Sequence, residues 1–214
     1  MAGYKAHLAT GMLLGLISGL CVVFMMVPSI IYAPLIFIAV VIGSFLPDLD
    51  SDTGIPVKVL FIALGTTISA IVAYYLYTVV EFKISFILFA VLCTFGLINY
   101  SLKNLFKRIT KHRGMFHSIV AVIITILTFN SVFLALGNEI FDSLIFSGAV
   151  GIGYLGHLVL DESNSIVNLS GIPFIPKKSL GTALKISTSS ARMNIMIILL
   201  VTVLIYVNGR LINQ

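Results

Sequence analysis

The sequence predicts an all-α protein: a polytopic membrane bundle of six or seven transmembrane helices. Three observations predict it. Hydrophobic residues make up 59% of the 214-residue chain and charged residues only 10%, whereas a soluble domain carries roughly 25% charged residues. The mean hydropathy is +1.12. The apolar residues are gathered into seven runs, most of them near the ~20 residues that a spanning helix needs. The length fits one membrane-embedded domain over residues 1–214.

The first run covers about residues 8–27, long enough to cross a bilayer. It follows Lys5 and has no small-residue cleavage site before the next run, so it reads as a retained helix and not as a signal peptide. The second, about 29–46, is short and bracketed by Pro28 and Pro47. The third and fourth cover about 58–80 and 84–106. The fourth turns basic from Lys103 to Lys111 and should extend past the bilayer. The last three cover about 115–137, 140–161 and 192–211. The longest polar stretches are 47–57 and 162–191. Tryptophan is absent, so interfacial aromatics must come from eight Tyr and fifteen Phe. Cys21 and Cys93 lie in apolar runs without motif spacing and read as core residues.

Charge then orients the bundle. With seven spans, one side carries Lys5, Lys58, Lys103, Lys107, Arg108, Lys111, Arg113, Lys177, Lys178, Lys185 and Arg192, eleven of the thirteen basic residues. The other side keeps only Lys83 and Arg210. Basic loops stay in the cytoplasm, so the N-terminus is expected inside and the C-terminus outside. The net charge of +5 therefore reports topology, and no nucleic-acid partner is expected.

All four histidines and four of the five aspartates fall on that cytoplasmic side. His7 opens the first run, and Asp48, Asp50 and Asp52 follow the second. His112 and His117 bracket Gly114, whose backbone freedom permits a sharp turn before the fifth run. His157 and Asp161 end the sixth at i,i+4, on one helical face. Taken singly, each group has a plain explanation as an interfacial residue, a solvated loop or part of a lipid-headgroup patch. Their common location favours one metal site. Ionisable groups ending an apolar helix are costly and tend to be functional. The aspartate triplet is not a calcium loop: Gly54 comes one place late, and Val59 stands where a bidentate Glu is required. Nitrogen and oxygen donors without thiolate suit zinc, with manganese or iron as alternatives.

The residues His7, Pro47-Asp48-Leu49-Asp50, His112-Arg113-Gly114-x-x-His117-Ser118 and Gly153-Tyr154-x-x-His157-x-x-x-Asp161 resemble the YdjM-type family. That family is described as LexA-regulated, metal-dependent hydrolases of the bacterial inner membrane. The resemblance runs from His7 to Asp161 and implies an inner-membrane location and a hydrolase-like site. The ligand pattern is also distantly similar to zinc-dependent phospholipases C, which bind metals through His and Asp on a helical bundle, and this implies phosphoester chemistry by analogy.

The expected protein is thus a metal-dependent hydrolase at the cytoplasmic membrane surface. One to three divalent ions would be held by His7, Asp48, Asp50, His112, His117, His157 and Asp161. Asp50 and Arg113 are the candidate catalytic groups, Arg113 because its planar fork suits an anionic oxygen. Lys111, Lys177 and Lys178 would gather the anionic headgroup of a phospholipid or a lipid-linked phosphate. Two alternatives stand beside this reading. A metal-ion or solute transporter would place its ionisable groups near the midplane on broken helices. A non-catalytic membrane protein with a structural metal would close its ligand shell.

Overall fold

The computed structural model describes residues 3–27, 29–50, 55–109, 116–166, 184 and 190–213. Every regular element among them is helical. Helix α1 covers Tyr4–Met25, and α2 covers Tyr32–Phe45 and runs on as a 3-10 turn, Leu46–Asp50. Helix α3 is Ile55–Thr78. Helix α4, Ile84–Gly96, passes through a π turn, Leu97–Leu102, into α5, Lys103–Ile109. Helices α6, α7 and α8 cover Ile119–Ala135, Ile140–Ile166 and Ala191–Ile212. Six spans are long and apolar enough to cross a membrane. The seventh apolar helix, α6, has 17 residues, about 26 Å at 1.5 Å per residue, slightly under the ~30 Å hydrocarbon core.

The chain packs as two compact units, Met1–Pro47 with Gly114–Gln214, and Asp48–Arg113. In the smaller unit, α3 lies against α4 and its π turn. Val57, Phe61 and Ile98 are buried together. Ser69 Oγ donates to the Val91 carbonyl at 3.4 Å.

The larger unit holds α1, α2, α6, α7 and α8. Small residues let its first helices close up. On α1, Gly11 faces Ser44, Gly15 faces Phe37 and Gly19 faces Ala33, so α2 runs antiparallel to α1. Helices α2 and α7 run parallel, tied at one end by Tyr32 Oη donating to Asp142 Oδ1 at 2.7 Å and at the other by Ser44 and His157. Between those ties the two backbones meet. A Cβ on Gly43 would strike the Val150 carbonyl, and one on Gly153 the Val40 carbonyl. Close approach of this kind replaces the hydrophobic effect as the cement of helices in lipid. Helix α6 runs antiparallel to α7, pairing Ala121 and Val122 with Tyr154 and Leu158. This order places the N-terminal ends of α1, α6 and α8 and the C-terminal ends of α2 and α7 together.

Cys21 and Cys93 are exposed, contrary to the core position expected for them. Lipid is as apolar as a core, so an apolar residue carries no mark of which side it faces.

Polar contacts join α6 to α8 further along. Asn130 Nδ2 donates to Asn208 Oδ1 at 2.7 Å, and Asn208 Nδ2 reaches Ser131 Oγ at 2.8 Å and the Leu127 carbonyl at 3.0 Å. Both asparagines are 5% exposed. Asn208→Leu should lower stability by about 1–2 kcal/mol, because it strands the Asn130 amide in an apolar bundle. Unfolding by SDS titration in mixed micelles checks this, and an unshifted midpoint would mean that packing alone holds α8.

Candidate metal centre

Four side chains converge at one end of the larger unit. His7 lies one turn into α1, His117 just ahead of α6, and His157 and Asp161 near the end of α7. They are 2%, 6%, 1% and 3% exposed, respectively. Asp161 is the hub. Its Oδ1 lies 3.3 Å from His7 Nε2, and its Oδ2 lies 3.5 Å from His117 Nε2 and 3.7 Å from His157 Nε2. The His7 and His157 rings stack with centroids 3.6 Å apart at 9°, and His117 stands edge-on to His157 at 5.6 Å.

Local sequence explains each placement. His7 begins the face of α1 that continues as Gly11, Gly15 and Gly19, all buried. The glycines bring that face against its neighbours, and the imidazole comes with it. Ser118 caps α6, its Oγ accepting from the Ala121 amide at 3.1 Å, so His117 sits at a defined chain bend. Tyr154 Oη donates to the Phe116 carbonyl at 2.6 Å and ties that bend to α7. One turn along α7, His157 Nδ1 lies 2.7 Å from the Ser44 carbonyl. A carbonyl only accepts, so Nδ1 carries the proton and Nε2 the lone pair. This orientation by a backbone carbonyl is characteristic of metal-ligating histidines.

The donor set fits a divalent ion. His117, His157 and Asp161 each offer a ligand atom within 4.8 Å of the others. The N···O separations of 3.3–3.7 Å are longer than the 2.7–3.2 Å usual for hydrogen bonds. They approach the edge of a tetrahedral shell, about 3.3 Å for ligand bonds of 2.0–2.1 Å. Among the described residues, buried His7 Nδ1 has no hydrogen-bond partner. Three imidazoles and one carboxylate suit zinc, and also iron or manganese.

Of the residues expected from sequence, His7, His117, His157 and Asp161 are brought together. Asp48 is half-buried in the turn Leu46–Asp50 and stays a candidate donor. The Asp50 side chain, His112 and Arg113 lie outside the described residues, as do Lys111, Lys177 and Lys178. Two positioning groups were not foreseen. The Ser44 carbonyl has no signal in sequence, because every residue has a carbonyl. Tyr154 stands in the motif quoted above, and its positioning role could have been read there: a phenol within an apolar helix, one turn before a histidine, requires a partner when buried.

A family model described as YdjM inner membrane protein matches residues 5–213. No curated protein and no solved structure matches the chain.

Proposed function

The chain belongs to the YdjM inner membrane protein family, and from that premise we propose that it is a metal-dependent hydrolase of lipid phosphoesters. His7, His117, His157 and Asp161 hold the ion, with Asp48, Asp50 and His112 as further donors offered by the sequence. The observation that carries this reading is the convergence of three histidine Nε2 atoms on one buried carboxylate. Groups so costly to bury in an apolar bundle are functional by default. When bound, such an ion supplies Lewis-acid polarisation and water activation. The chain's own residues do the rest. The Ser44 carbonyl fixes the His157 tautomer. Tyr154 holds the bend that presents His117. Arg113 offers a bidentate fork to an anionic oxygen of the substrate, and Asp50 is the second candidate catalytic group. The substrate is a phospholipid or lipid-linked phosphate, because the cluster lies at helix ends, where headgroups lie.

The test is elemental analysis of the purified protein together with a lipid-phosphate hydrolysis screen. Zinc or another divalent ion should copurify. Turnover should vanish on chelation, return with the ion, and be absent in His117→Ala. A metal-free protein that is inert with added zinc, manganese or iron would sink the reading. The near-complete burial of all four groups favours a second reading, a structural ion clamping α1, α6 and α7. In that case chelation lowers the melting temperature while the loaded protein hydrolyses nothing.

The same proposal sets the orientation. The eleven-to-two split of basic residues puts the cluster at the cytoplasmic face. With Cys21 and Cys93 replaced, Gly3→Cys should react with a membrane-impermeant maleimide only after permeabilisation, and Asn138→Cys in intact cells. The reverse pattern would move the site to the outer face.

A further inference from the structure

A groove of about 490 Å³ runs between α6 and α8. Val120 and Ile123 form one wall, and Asn194, Ile197, Val201 and Thr202 the other. We propose that this groove holds one acyl chain of a membrane phospholipid whose headgroup lies toward the histidine cluster, an inference that rests on the lipid hydrolase reading. Several observations point to that occupant. The lining is apolar except for Asn194, at its cluster end, and Thr202, at its inner end. Thr202 Oγ1 is satisfied by the Ile198 carbonyl at 2.9 Å, so the inner end makes no polar demand on a ligand. The groove flanks a candidate membrane span, Ala191–Ile212, which places hydrocarbon beside it. Ile123 and Ile198 stay 45% and 66% exposed, so among the described residues nothing else of the larger unit covers it.

Direction and length agree with this. Val120 and Ile123 line the groove with residues 194–202, and Asn130 meets Asn208 further along both helices, so α6 and α8 run parallel with their N-terminal ends together. From Asn194 to Thr202 the groove descends about 12 Å along α8 at 1.5 Å per residue, which lies within one leaflet of a ~30 Å core. The groove is tied to the site by the chain itself. His117 precedes Val120 by three residues, so their Cα atoms are at most about 11 Å apart. A phosphate at the cluster and a chain in the groove are therefore within the span of one lipid molecule.

The chain has no tryptophan, so a single introduced indole reports on one place. Ile198→Trp puts it in the groove, with Ile197→Trp as a second groove reporter, and Leu199→Trp puts it on the adjoining exposed face of α8. Each full-length variant is reconstituted in dioleoylphosphatidylcholine vesicles containing rising fractions of phosphatidylglycerol brominated on its acyl chains. Half-maximal quenching in the groove is expected at an about tenfold lower fraction of brominated lipid than at Leu199→Trp, the preference expected of a specific site. Adding Ile123→Phe or Val201→Phe to Ile198→Trp should remove the difference. Coincident curves for groove and surface reporters would overturn the proposal. Hydrolysis by the wild-type protein is read separately. Displaced curves without turnover keep the groove and remove the hydrolase reading, whereas turnover with coincident curves does the opposite.

Discussion

Asp161→Asn is expected to strip the protein of bound metal while leaving it folded. The carboxylate faces three imidazoles, with its two oxygens 3.3–3.7 Å from their Nε2 atoms. Asparagine keeps the shape and removes the charge, so packing is preserved and only ligation is tested. Losing an outer-shell partner typically costs 10–100-fold in metal affinity, and losing the ligand itself should exceed that. The apo protein should not be weakened in proportion, because the substitution also removes a carboxylate that is costly to desolvate. A ligand present at 1,000 times its Kd stabilises the folded state by about 4 kcal/mol. A chelator should therefore lower the melting temperature of the wild type and leave that of Asp161→Asn unmoved. Equal metal content in the two proteins would remove Asp161 from the ligand shell.

Gly153→Ala should be the most disruptive single methyl addition in the larger unit. The new Cβ would meet the Val40 carbonyl and come within 2.9 Å of the Ser44 amide nitrogen. These are backbone atoms, so no rotamer change relieves the clash and α2 must move away from α7. Overpacking costs about 1–3 kcal/mol where side chains can adjust, and more is expected here. Gly43→Ala, against the Val150 carbonyl, should behave alike. The displacement also pulls the Ser44 carbonyl from His157 Nδ1, so metal content should fall along with stability. Gly148→Ala is the control. Among the described residues nothing lies within 4 Å of its Cβ position, and the change should be neutral or stabilising by up to about 1 kcal/mol. Melting curves in detergent with parallel metal analysis decide it. A Gly153→Ala protein that melts like the wild type would mean that the two helices are not in backbone contact.

Much of this is legible in the sequence. The seven apolar runs become seven apolar helices, because twenty residues without charge have few other stable states in lipid. His7, His117, His157 and Asp161 could be gathered from their positions alone. Each interrupts an apolar run near one end, and alternate helices return those ends to the same side. The basic residues set an expected orientation through their loop distribution.

The tertiary structure decided what apolar composition cannot encode. Cys21 and Cys93 show that a hydrophobic residue facing lipid looks the same in sequence as one facing a helix. That Gly43 and Gly153 meet, when other glycines such as Gly148 face open space, depends on which faces of α2 and α7 come together. The Ser44 carbonyl that orients His157 has no side-chain signature at all. Composition and spacing thus determined the elements and the end of the bundle where the chemistry gathers. Only the packing of helix against helix decided which nitrogen of His157 faces Asp161, because that choice is made by the Ser44 carbonyl, a backbone group common to every residue.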